Sequence, residues 1–395
     1  MCLDKRTAQC GFSLVELVVA LAITLALTTV VFALVSPANG SFQTQPEAAD
    51  VQQRLRAATD ALSRDLLVVG SAPFIAQGSD HITPLPAAAA FPFRVGRLNA
   101  DAPGAFNSAR IGVWSVAPYA PQARLASPLA SASGTATFVP GAGCRSGAPS
   151  CGFQAGTTLV VIGTSGAWDL FSVTAVAGST LTLQHNLRDA PLVHQVSEST
   201  LAEATVRTYM FKDDPASGFA RLVRYDAAGG SDVPVIDHIV DVQFEYLGEA
   251  QPPSPVLGTD PVAPRVTYGP SPPSPTAHPT SYPAGENCAF TRTPSGVVTA
   301  RLPALVAGPA LVSLPSTLLT DGPWCPDSVN PNRYDADLLR VREIVATIRV
   351  EAAVDALRGP AGPLFSRGGT ARGTRFVPDR TARVAIAPRG LNLWR

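Results

Sequence analysis

From Phe12 to Val35 the chain runs for 24 residues with a single formal charge, Glu16. As a helix rising about 1.5 Å per residue this stretch is about 36 Å long, enough to cross a hydrocarbon core of about 30 Å. A helix so apolar must be covered, either by lipid or by other protein. The rest of the chain has to be arranged as a domain attached to it.

The flanks orient the segment. Lys5 and Arg6 outweigh Asp4 upstream, and no basic residue follows until Arg54. The positive-inside bias therefore holds the first ten residues in the cytoplasm and sends the remainder to the periplasm or exterior. An ordinary secretory signal has a shorter apolar region followed by a small-residue cleavage site, and neither holds here. A carboxylate inside such a helix costs a few kcal/mol in lipid, so Glu16 calls for a partner or a function. A cut after Gly11 would create one, the new amino terminus of Phe12.

Gly11 followed by Phe12-Ser13-Leu14-Val15-Glu16-Leu17 resembles the class III signal of type IV prepilins and type II secretion pseudopilins. The resemblance implies that a membrane peptidase, the prepilin peptidase, cuts after Gly11 on the cytoplasmic side and methylates Phe12. It makes Glu16 the fifth-position glutamate that takes part in assembly. Gln53-Arg54-Leu55-Arg56, Ala61 to Leu66, Asp337 to Arg342, Val377-Pro378-Asp379 and Pro388 to Leu393 resemble PilW-type minor pilins. The resemblance thus touches both ends of the chain. It implies a subunit that initiates, caps or decorates a type IV pilus. Its partners would be other major and minor pilins, the inner-membrane assembly platform and the lipid bilayer. A single-pass inner-membrane protein would move to the pilus or cell surface on assembly. A type II secretion pseudopilin is the nearest alternative, and a surface adhesin or DNA-uptake subunit the next.

The remaining chain is long enough for one large or two modest domains, and its apolar content of 46% supports a buried core. Basic and acidic residues balance at 30 each, so no global charge draws it to nucleic acid. Cys2 and Cys10 fall in the leader, which leaves Cys144, Cys151, Cys288 and Cys325 on the exported side. An even number there reads as two disulfides. The local pairing, Cys144 with Cys151 and Cys288 with Cys325, needs the least chain closure. A zinc site finds no CxxC or nearby histidine pair to support it.

In chain order, residues 36–40 contain Pro37 and Gly40 and are expected to bend or interrupt the helix. Thr44-Gln45-Pro46-Glu47 has the capping-box pattern that opens a second helix. There Val51, Leu55, Leu62, Leu66 and Val69 form an apolar stripe, with Arg54, Arg56, Asp60, Arg64 and Asp65 mostly on other faces. Gly70 to Pro73 ends it. Residues 71–106 read as a connector. From about residue 108 the pattern is β, with hairpins turning at Ala177-Gly178-Ser179 and between Lys212 and Gly218, and the clearest strand at Ile239 to Leu247. Eleven prolines lie between Pro252 and Pro283, and the 248–285 insertion is expected to be an extended surface linker. Ile344 to Val350 reads as another half-buried strand.

The expected fold is α+β: a long N-terminal helix, membrane-spanning in its first half, and a mainly antiparallel β domain. The expected division is a leader at 1–11, a helix at 12–70 and an exported domain at 71–395. No enzyme, cofactor or metal is expected. Gly163-Thr164-Ser165-Gly166 begins like a nucleophile elbow, but Ala167 stands where glycine is needed. His81, His185, His194, His238 and His278 show no metal-ligand spacing, and no GxxxxGK[ST] motif is present.

Overall fold

In the computed structural model, the described residues are 13–70, 90–91, 107–117, 119–129, 133–140, 144, 148–163, 168–185, 199–226, 232–256, 265–278, 280–330, 333–359 and 377–392. One N-terminal helix is followed by a mainly antiparallel β domain, an α+β fold. The chain forms two compact units, residues 1–53 with 351–380 and residues 54–350 with 381–395.

Helix α1 spans Leu14–Leu67 without a break, through both Pro37 and Pro46. The expected interruption at 36–40 and the separate helix opening at Thr44 therefore do not occur. A helix-interior proline costs about 3 kcal/mol. Splitting the helix would leave two further ends, each with four unsatisfied backbone groups, and would demand a second nucleation. The Thr44 capping box is also not formed. In the first unit the Glu47 carboxylate accepts instead from the backbone N–H of Ala353. In the same unit Arg358 pairs with Glu351 at 3.1 Å and Asp355 at 2.9 Å.

Among the described residues, the second unit holds two larger sheets and a barrel, with three two-stranded ribbons beside them. Strands β1 (Arg110–Ser115), β8 (Thr205–Asp214), β9 (Phe219–Asp226) and β10 (Asp232–Asp237) lie side by side in that order, and the short strand Ala90–Phe91 pairs on β1. Between β1 and β8 the chain forms β2 (Gln122–Leu125), β3 (Ser133–Val139), β4 (Thr158–Gly163), β5 (Trp168–Ala177), β6 (Thr180–His185) and β7 (Ser199–Glu203). These close into a barrel in the order β2-β3-β6-β5-β4-β7. Both expected hairpins are present, β5 with β6 and β8 with β9. The second turns over Pro215 to Gly218 only, because β8 extends through Lys212 to Asp214. The connector reading of 71–106 lies outside the described residues except at Ala90–Phe91.

The other sheet orders β12 (Leu311–Ser313), β11 (Ile239–Glu249), β13 (Val341–Val350) and β14 (Arg380–Ile386). In β11, Val242, Phe244 and Tyr246 are buried while Gln243 and Glu245 are exposed, the alternation expected of a half-buried strand. A bulge between Ile239 and Asp241 takes Val240 out of that register. Gly248 is needed where it stands, since a Cβ there would lie 2.7 Å from the Arg340 carbonyl oxygen.

The linker expectation for 248–285 is corrected. Gly248 and Glu249 belong to β11, Pro255–Val256 pairs with Arg265–Val266, and Tyr268 is buried with its hydroxyl donating to the Gln251 carbonyl at 2.5 Å. Prolines supply no N–H, so side chains satisfy several of the carbonyls. Asn287 donates to Ser271 at 2.7 Å, and Arg292 donates to Gly285 at 3.0 Å and Pro273 at 3.3 Å. The fully buried Arg340 donates to the carbonyls of Glu249, Ala250 and Gln251 at 3.1, 3.1 and 3.2 Å and to Pro303 at 2.5 Å.

Candidate assembly helix and its supports

Twenty residues of α1, Leu14–Ala33, have a mean hydropathy of 2.5, and none of them is buried inside the chain. Leu14 is 78% exposed and Phe32 70%. A 20-residue helix is about 30 Å long, the thickness of a hydrocarbon core. Its polar side chains are satisfied within the helix. Thr24 donates to the Ala20 carbonyl and Thr29 to that of Leu25, both at 2.7 Å, and Thr28 donates to Thr24. None of these hydroxyls needs water, which suits an apolar surrounding.

Gly11 and Phe12 lie outside the described residues. Glu16 is seen in a role the sequence reading did not assign. Its carboxylate accepts from the Ser13 backbone N–H at 3.0 Å, and the Ser13 hydroxyl accepts from the Glu16 N–H at 3.2 Å. Ser13-Leu14-Val15-Glu16 is thus a formed capping box, with an S-x-x-E spacing plain in the sequence. The same pattern at Thr44 to Glu47 lies in the helix interior and opens no helix. Glu16 closes the N-terminal end of α1, where a carboxylate also complements the helix dipole.

The second-unit part of α1 buries Leu55, Ala58, Leu62 and Leu66, as the stripe predicts. Arg54 and Asp65, expected mostly off that stripe, are buried too, and each is paired. Arg54 lies 3.6 Å from Asp237. Asp65 accepts from Arg207 and, at 2.5 Å, from the Tyr209 hydroxyl, while Arg207 also reaches Asp226 at 3.2 Å. Burial and the neighbouring carboxylate push the Tyr209 hydroxyl well above its ordinary pKa, so it serves as a donor. The helix ends on Gly70 at φ +73°, where a Cβ would meet Leu391 at 2.5 Å. The Arg389 N–H donates to the Leu67 carbonyl at 3.0 Å and seals the C-terminal end.

Cys144 is bridged to Cys151 and Cys288 to Cys325, with Cα separations of 4.3 and 5.1 Å. The first staples a loop to the barrel core, and the second ties the segment just after the proline-rich region to the strand Trp324–Cys325. The side chain of His185 is buried and lies 2.5 Å from the buried Asp169 within the barrel. His278 is exposed, and His81, His194 and the 164–167 turn lie outside the described residues.

Among the described residues, Asp321, Asp335 and Asp337 form a cluster with one oxygen of each within 4.8 Å of the others. Their sequence spacing gave no sign of it. Asp335 accepts from the Gly322 N–H at 2.7 Å and the Asp337 N–H at 2.8 Å, and Asp337 pairs with Arg340 at 2.5 Å. Two of the three carboxylates are therefore already engaged by the protein. Burial still pushes Asp335 up to about 7 and Asp337 up to about 6.

No curated protein and no solved structure matches the chain. Residues 6–32 match the prokaryotic N-terminal methylation motif, and this match, on a segment that continues into a long exposed apolar helix, supports a type IV pilin-like protein.

Proposed function

We propose that the chain is a minor pilin of PilW type, a structural subunit that initiates, caps or decorates a type IV pilus. The observation that carries this reading is the Leu14–Ala33 window, strongly apolar apart from Glu16 and three threonines and uncovered by the chain itself, overlapping the matched motif at 6–32. Such a surface is stable in lipid. It is equally stable against the helices of neighbouring subunits, where packing replaces contact with lipid chains. Leaving the bilayer for a filament then exposes no apolar surface to water.

In this reading residues 1–11 are a leader, 12–70 the assembly helix and 71–395 the exported domain. The prepilin peptidase cuts after Gly11 and methylates Phe12. The Glu16 carboxylate, one turn into the helix, is within the same terminal region as the new amine. The subunit works by packing against other pilins and the inner-membrane platform, not by chemistry.

Intact mass of the mature protein and immunogold labelling of sheared filaments test the proposal. A mass starting at Phe12 plus one methyl group, with label on pili, is expected. A product that still begins at Met1 overturns it, and label confined to a type II secretion apparatus makes the chain a pseudopilin instead.

A further inference from the structure

Strand β12 (Leu311–Ser313) ends its sheet, with β11 on one side and no described strand on the other. The Ala250 N–H donates to the Ala310 carbonyl at 3.0 Å, the Leu314 N–H donates to the Tyr246 carbonyl at 2.8 Å, and Val312 stands opposite Gly248 between them. Backbone groups of successive strand residues point to opposite sides. Ala310, Val312 and Leu314 therefore face β11, while Leu311 and Ser313 turn their N–H and C=O groups away from it. Among the described residues none bonds to those outward groups.

Two other sheet edges are guarded. Strand β10 carries Asp232, Pro234 and Asp237, and β14 carries Arg380 and Arg383. Charge and proline at an edge discourage a further strand from adding to it. Strand β12 itself has neither. No charged residue occurs from Leu302 to Thr320, and every residue from Val306 to Leu311 is exposed, Val306 at 44% and Leu311 at 38%. The carboxylate opposite Leu311, that of Glu249, is paired with Arg342 at 2.8 Å.

This combination selects its occupant. Lipid would leave the outward N–H and C=O groups unsatisfied. A strand satisfies them, and the same edge of a second copy matches in length, register and neutrality. A two-fold contact sets side chains near their own copies, so a charged edge repels itself and an uncharged one does not. With the axis at Val312, Leu311 lies opposite the partner's Ser313. The two exchange a pair of hydrogen bonds, and the axis repeats that pair on its other side. Covering the exposed Leu311 adds hydrophobic burial to those bonds.

We infer that β12 pairs with the β12 of a second copy of this chain, antiparallel about a two-fold axis at Val312. This holds whether or not the chain is a pilus subunit. The full chain with Cys2→Ser and Cys10→Ser, which removes the two cysteines outside the disulfides, is sedimented in detergent micelles over a range of concentrations. A reversible dimer is expected. Ser313→Pro deletes an outward N–H that the chain's own sheet does not use, and Leu311→Lys puts a charge on the edge; each should raise the dimer dissociation constant roughly tenfold or more. Leu311→Lys alters an exposed side chain only, and serves alone if the proline variant does not fold. Val312→Cys should link two copies on mild oxidation, because Cβ atoms of directly opposite residues lie about 4.5–5.5 Å apart. Thr299→Cys, on the short exposed strand Val298–Ala300, should not. A monomer at every concentration overturns the inference. So does a dimer that both edge variants retain, which α1 would then hold, or a Val312→Cys chain that fails to cross-link.

Discussion

The Tyr209 hydroxyl donates to the Asp65 carboxylate across 144 residues of sequence, and this contact holds the C-terminal part of α1 against the middle of its sheet. Arg207, two residues earlier on the same strand, donates to the other oxygen of that carboxylate. Tyr209→Phe removes one donor and keeps the ring, so unfolding free energy should drop by about 1–3 kcal/mol. Asp65→Ala also removes the α1 partner of Arg207, which keeps only Asp226, and should cost more than the tyrosine change. Urea unfolding of both variants checks the order; equal stability of Asp65→Ala and the parent chain would contradict it.

The two disulfides should differ in weight. Cys288–Cys325 spans 37 residues and Cys144–Cys151 only 7. Chain entropy then assigns about 4 kcal/mol to the first and about 2 to the second. Thermal unfolding of Cys288→Ala/Cys325→Ala and Cys144→Ala/Cys151→Ala should show the larger loss in the first. Peptide mapping without reductant checks the pairing itself, and four unlinked thiols would refute it.

Asp335 and Asp337 make stability depend on pH. Burial raises Asp335 to about 7 and Asp337 to about 6, whereas unfolded carboxylates titrate near 4. The folded chain therefore binds protons that the unfolded chain has already released. Stability from these groups is fully present below about pH 4 and is lost as pH rises through about 7. Melting temperature should fall between pH 5 and pH 8, and Asp335→Asn should flatten that slope even though it weakens one acceptor at low pH. A slope unaltered by the substitution would dismiss Asp335 as its source.

Glu16 combines a charge with a helix cap, and two substitutions separate them. Glutamine still serves at this capping-box position but is uncharged. Glu16→Ala removes both. If the charge recruits a neighbour, both variants should insert in the membrane yet be depleted from sheared filaments. If the cap alone matters, Glu16→Gln should be incorporated at parental levels. Immunoblots of sheared and membrane fractions distinguish these outcomes, and undiminished incorporation of both variants would remove Glu16 from assembly.

The sequence by itself determined the features that depend on near neighbours. The apolar run after Phe12, the stripe from Leu55 to Leu66 and the alternation of Val242, Phe244 and Tyr246 are periodicities of local backbone geometry, and each marks its element. The Ser13 to Glu16 cap is equally local, its spacing being the same as that of Thr44 to Glu47, and only the start of the helix tells the two apart. Tertiary structure decided what depends on distant partners. Whether Pro37 and Pro46 break the helix turned on the cost of a second pair of helix ends set against one lost hydrogen bond at each. The separation of barrel from sheet rests on Ser115 meeting Thr205, a pairing no window of sequence contains. The burial of Arg54 and Asp65 depended on Asp237, Arg207 and Tyr209 waiting opposite. In the proline-rich region few backbone donors remain, so its order draws also on Asn287, Arg292 and Arg340, side chains supplied from outside it.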